Sequence, residues 1–351
     1  FFAMFNTNKF LFPTLLIIAT TAVAQPSFRI TSFISHRDLT DRQKVDIERY
    51  TEGWATILLT DDAKMIAEAR RGLTEPLDNR WSMSNTARMH YGEALLSSFE
   101  PFLSEENENE VAAINALQIL SLLGTERSVT TIMRHASNTF EDRSALRQWA
   151  SAGLENSFQT GRLPLTRITS AATLLADAAS KEPVWHVASR QLQSLSSLSD
   201  TPGLRRSELT ELQGLSFELQ VQAISNIVED VAANKKASLR MRPVRSGLSS
   251  LRLQLIEPSV DSTLKTDTIN NLVPVLIRVL EVASSQWSGA KKSDALLVAY
   301  GGAIETATTM LQRFVGDDDV ENVDVRGAWE AGDKQPLTDA ILYWQNKTAS
   351  K

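Results

Sequence analysis

The sequence predicts an all-α fold, a multi-helix array or α-solenoid-like domain of about a dozen helices with no sheet. Apolar residues recur at three- and four-residue spacing through most of the chain, the signature of helices with one buried face. Only 15 Gly and 11 Pro interrupt 351 residues. Strand-like alternation of β-branched residues is scarce.

The strongest pattern lies in residues 110–158. Val111–Leu123 carries Ala112, Ala113, Ala116, Leu117 and Leu120 on one stripe, and Thr125–Ala136 supplies a shorter partner. Asp142–Phe158 returns with Ala145, Leu146, Trp149, Ala150, Gly153 and Leu154. A shift of about 37 residues lays Ala113, Ala116 and Leu117 on Ala150, Gly153 and Leu154, a period of stacked helix pairs. The alternative is a set of non-repeat helical bundles, because any two closely packed helices need small residues at their contact.

The segment Leu146-Arg147-Gln148-Trp149-Ala150-Ser151-Ala152-Gly153-Leu154 is similar to the second-helix pattern of HEAT repeats, with Asp142 matching the acid of the turn before it. Asn109–Leu117 keeps the small positions without the Arg, and Val184–Leu192 keeps Val187, Ala188 and Leu192 with Trp185 and Gln191 departing. Pro164–Ala178 supplies an outer helix between the second and third copies. The resemblance covers about residues 105–198 and implies a stacked array that offers an extended binding face.

Before the repeats, Pro26–Thr40 reads as an extended leader. Thr40 caps a helix bearing Val45, Ile47, Trp54, Ile57 and Leu58. Asp61 and Asp62 suit the start of the next helix, which runs to Gly72 as its C-cap. After a turn at Pro76 comes Ser84–Phe99, and the acids of Ser104–Glu110 lead into the repeats. After them, Ser196–Thr210 is a Ser-rich break, and Ser207 caps a long helix to about Val231. Pro243 breaks the helical pattern, and Val244, Leu248, Leu251 and Leu255 resume it as an amphipathic face. Thr268–Trp287, Ser293–Phe314 and Pro336–Trp344 complete the helices. Pro274 is tolerable only near a first turn or as a kink. The expected organisation is residues 1–24 as upstream residues and signal peptide, 25–104 as leader and helical cap, 105–198 as repeats, 199–347 as a C-terminal helical region, and 348–351 as a tail.

Met4, Lys9, the apolar run Phe10–Val23 and Ala22-Val23-Ala24 before Gln25 form a signal-peptide pattern, with an uncleaved anchor as the alternative. No later stretch is apolar enough to span a membrane. Export with no cysteine at all favours a periplasmic or extracellular bacterial protein. It also removes thiol nucleophiles and thiolate metal sites. The net charge of −6 argues against general nucleic-acid binding.

No hydrolase, zincin, P-loop or dinucleotide motif occurs, and no catalytic residue, metal or cofactor is expected. His90 and Glu93 share a helix face but lack a second ligand pair. Met133 and His135 point to different sides of a helix. Asp317–Asp324 misses the Gly and Glu of an EF-hand and reads as an acidic loop. Glu48/Glu52 and Asp61/Asp62 would need a cleft to serve as an acid–base pair.

The candidate binding residues are Lys235, Lys236, Arg240, Arg242, Arg245 and Arg252, a run with no acid among them. The plainer reading is a loop whose charges are solvated or paired with acids such as those of Asp317–Asp324. The expected function is non-enzymatic binding of another macromolecule, a protein or an anionic envelope polymer, through a helical surface. The alternative is an all-α envelope hydrolase or lyase using paired carboxylates, with the Tyr91–Glu93 region as its centre. An enclosed pocket with two carboxylates would favour the enzyme, and an open face with scattered Arg and Trp the binder.

Overall fold

In the computed structural model the described residues are 26, 29–78, 81–234, 236, 238–316 and 324–349. The signal segment, Lys235 and Asp317–Val323 lie outside the described residues. Fourteen α-helices and no strand occur among those described.

Side chains set many of the helix starts. Thr40 and Gln43 close a capping box at α1 (Asp41–Ile57). The Asp62 carboxylate accepts from two amides at the head of α2 (Ala63–Thr74), and Ser84 caps α3 (Asn85–Leu103). Asn109 caps α4 (Glu110–Ser121), and Thr125 caps α5 (Glu126–His135). Then come α6 (Ser144–Phe158), α7 (Leu165–Lys181) and α8 (Trp185–Ser196). Two of the next three are long: α9 (Arg206–Ala233) and α11 (Ser262–Ala290) flank α10 (Met241–Ile256). The chain closes with α12 (Asp294–Val315), α13 (Val325–Ala331) and α14 (Gln335–Ala349).

Successive helices alternate between two layers. α2, α4, α6, α8, α10 and α12 pack side by side in one, and α1, α3, α5, α7, α9 and α11 in the other. The alternation continues past Leu198, since α10 lies on α8 and α9 on α7. It ends by changing sides, with α13 on α12 and α14 on α11. The small-residue stripe is the contact that makes the even layer possible. Ala112, Ala113, Ala116, Leu117, Ala150 and Leu154 are fully buried where α4 meets α6. Positive φ at Gly124 and Gly161, 37 residues apart, turns the chain after α4 and after α6, a conformation open to Gly at little cost.

Some local expectations give way to packing. Residues 30–38 form turns and not an extended leader, because Ile30 and Ile34 are buried in the core. Gly72 is inside α2 and not its C-cap. A β-carbon there would stand 2.5 Å from the Trp54 ring, so the residue is selected for close approach. Helix α9 starts at Arg206, ahead of Ser207, through a box between Arg205 and Glu208. Pro243 sits in the first turn of α10, where its missing N–H has no intrahelical carbonyl to lose. Pro274 lies well inside α11 and forgoes a backbone bond there. The final helix is longer than Pro336–Trp344, and α13 had no counterpart in the apolar pattern.

The turns that lead into the even-layer helices are stitched by polar side chains. Asn107, Glu141, Glu182 and Ser238 each accept the amide two residues on, just ahead of α4, α6, α8 and α10. Arg143 donates to the Asn107 carbonyl at 2.8 Å, tying the α6 entry to the α4 entry. Arg147 makes a two-pronged bond to the fully buried Glu182, at 2.8 and 2.9 Å, and also caps the carbonyls of Glu141 and Asp142. Further along the same helices, Ser157 donates to the Ser121 carbonyl and Ser194 to that of Ser151.

Removing one member of a buried ion pair strands the other charge. Arg147→Met is therefore expected to destabilise the fold by about 3–5 kcal/mol. Arg147→Met combined with Glu182→Gln is expected to regain part of that loss. Urea denaturation of both variants is the check, and equal losses would show that the stranded carboxylate is not the cause.

Candidate functional site

The five described basic residues, Lys236, Arg240, Arg242, Arg245 and Arg252, do not form one patch. Lys236 is exposed in the turn after α9. Arg240, just before α10, turns toward the odd layer, pairing with Asp230 of α9 and donating to the Ser180 carbonyl of α7 at 2.5 Å. Its side chain is only 11% exposed, which makes it a structural tie. Arg242, Arg245 and Arg252 recur on α10 at helical spacing. The guanidinium of Arg242 lies 4.6 Å from the centre of the Trp185 ring on α8, a cation–π stack. Arg245 reaches α12, where the absence of a side chain at Gly302 leaves room for its Cδ and guanidinium.

Arg242 and Arg245 belong to the outward face of the even layer. Trp149 of α6 is 43% exposed on that face, beside Gln148. A trough of about 390 Å³ runs across α6, α8 and α10 between Gln148, His186, Ser189, Gln193, Ser246 and Ser250. Exposed apolar side chains extend the face in both directions, with Val111 on α4, Leu253 on α10 and Val298 on α12.

The histidines and paired acids have other work. His90 Nε2 approaches the Lys44 carbonyl at 3.2 Å and Glu48 at 3.3 Å, while Glu93 pairs with Arg127 of α5. His90 and Glu93 thus serve different partners. The Tyr91 phenol is fully buried and donates to the Leu73 carbonyl at 2.7 Å, and burial pushes its pKa well above the usual range. No group of three His, Asp or Glu side chains suited to a metal ion occurs among the described residues. No described helix is long and apolar enough to cross a membrane.

The Tyr91–Glu93 region does border a cavity of about 800 Å³ between α3, the α4–α5 turn and the approach to α7. Asp78, Glu93, Glu126, Arg88, Arg127 and Arg162 contribute charges to it, and Met83, Met89, Leu96, Leu163 and Pro164 its apolar walls. Arg88 was not singled out by the sequence reading. Its signal was a cation on the buried stripe of α3, one residue after Ala87 and three before Tyr91. Burial first, and then the charge of Arg162, hold its guanidinium well below the usual range, at about 10.

A second buried cluster is structural. The Glu141 carboxylate meets His135 Nδ1 at 2.9 Å and Arg143 Nε at 2.7 Å. Burial alone would raise its pKa, but the bonds from His135 and Arg143 outweigh it and hold Glu141 at about 2.

No protein-family model matches the chain, and no curated protein matches its sequence. Among solved structures it is similar to an engineered protein from the Northeast Structural Genomics Consortium. That likeness has 13% identity and a TM-score of 0.29 over 89% of this chain and 93% of the other. It carries no argument about function.

Because the folded pKa of Glu141 is depressed, its contribution to stability is complete above the ordinary value of 4.5 and is lost as pH falls from there through about 2. Glu141→Gln is expected to flatten the acid arm of Tm against pH in that window. An unchanged acid arm would contradict the assignment.

Proposed function

We propose that this chain is an exported, non-enzymatic helical-repeat protein that binds another macromolecule, a protein or an anionic envelope polymer, on the outward face of its even layer. The observation that carries this reading is the Arg242–Trp185 stack between α10 and α8, in a layer whose helices α4, α6, α10 and α12 also expose Val111, Trp149, Leu253 and Val298. Aromatic and Arg side chains supply binding energy out of proportion to their area, because they pair a large apolar surface with a polar edge. The positive charge of Arg242, Arg245 and Arg252 suits an acidic region of the partner and would speed its encounter. Arg240 is not part of this face, since it is tied to α7 and α9. The export signal is the ground for the envelope as the setting.

The alternative, an envelope hydrolase or lyase, draws on the cavity beside Glu93 and Glu126. Glu93 is already neutralised by Arg127 across the mouth, which fits an acid–base role poorly.

Immobilised chain is expected to capture its partner from envelope extracts, and Arg242→Ala with Arg245→Ala to weaken capture by about tenfold or more. Arg206→Ala, an exposed cation at the head of α9, is the control and is expected to bind as the wild type does. Equal capture by all three would remove the even-layer face as the docking surface.

A further inference from the structure

Two buried arginines are paired with acids, although Arg240 Nε, like Arg88 Nη1, has no hydrogen-bond partner among the described residues. Arg147 and Arg240 each find a carboxylate and at least one main-chain carbonyl. Arg88 departs from that rule. It is 9% exposed, it lines the 800 Å³ cavity, and its buried Nη1 has no hydrogen-bond partner among the described residues. A guanidinium cannot relieve the cost of burial by losing its proton near neutral pH, so a charge held this way calls for an anion. After burial, the charge that depresses the Arg88 pKa is a second cation, Arg162, which lines the same cavity.

We infer that the cavity between α3, the α4–α5 turn and the start of α7 is a binding site for a small amphipathic carboxylate, whose head group pairs with Arg88 and whose apolar body lies along Met83, Leu96 and Leu163.

The planar fork of a guanidinium matches the two oxygens of a carboxylate. Asp78, Glu93 and Glu126 match Arg88, Arg127 and Arg162 in number around the cavity, so the lining has no surplus of cations to hold a multiply charged anion such as phosphate. Gly92, on the same face of α3, leaves the floor open where a larger residue would project toward Leu123 and Thr125. The volume suits a ligand of drug-like size. The site is separate from the even-layer face, and neither proposal depends on the other.

The test uses the purified chain with octanoate, its neutral amide octanamide, and inorganic phosphate, followed by calorimetry and thermal unfolding. Octanoate is expected to bind about tenfold or more tightly than octanamide, and phosphate not to compete. Arg88→Met should abolish the preference for the acid. It should also raise the Tm of the ligand-free protein, because it removes an uncompensated buried charge. Arg88→Lys, which keeps the charge without the fork, should retain the fold and bind octanoate more weakly than the wild type. Equal affinity for octanoate and octanamide would overturn the proposal, as would tighter binding of phosphate. So would a fall in ligand-free Tm for Arg88→Met, which would mean that Arg88 already serves the fold.

Discussion

The even layer depends on how the chain re-enters it after each odd-layer helix, and the Arg147–Glu182 pair is the firmest of those joints. Glu182 is fully buried at the end of α7, where an unpaired carboxylate would be prohibitive. Arg147 comes from the preceding even-layer helix, so the bond fixes one hairpin against the next. The same guanidinium takes up two carbonyls of the turn just ahead of α6. Charge neutralisation, hydrogen bonding and register are met by one side chain. Glu141 with His135 and Arg143 does similar work one turn earlier.

Stitching of this kind has a consequence for the surface. With the entry turns pinned and small residues between α4 and α6, the even-layer helices lie side by side and expose only a narrow outward stripe each. Residues from distant parts of the chain then become neighbours, as Trp185 and Arg242 do. A face assembled from many short stripes is broad and shallow, which suits a macromolecular partner better than a small substrate. The cavity near α3 is different in kind, because α3, the α4–α5 turn and the segment before α7 meet there around a charge they do not neutralise.

Much of the helical layout was legible in the residues. Thr40 and Asp62 act locally, through bonds spanning two or three positions, so these helix starts could be read directly, while Ser84 and Thr125 were legible only as the first residues of helical segments. The stripe from Ala112 to Leu154 was read as a contact and is one. Gly72 misled because a glycine near a helix end is usually a cap, whereas here Trp54 from the preceding helix sets the requirement. The basic run misled in part for the same reason. Arg240 and Arg242 are two residues apart, yet α9 and α7 engage one while α8 engages the other. The candidate face was thus visible as a run of charge but not as a surface.

By itself the sequence determined an all-helical chain, the places where many helices begin, and a repeat of about 37 residues, since these rest on short-range periodicity and capping. Only the tertiary structure decided what the buried cations are for. Arg88 and Arg147 both sit on the buried side of a helix among small and apolar residues, and their local patterns do not distinguish them. Arg147 meets Glu182, 35 residues away along the chain, and holds the array together. Arg88 meets no such partner at its Nη1 among the described residues, and it lines a cavity. The energy of a buried charge depends on what stands opposite it, and that is set by the stacking of the helices.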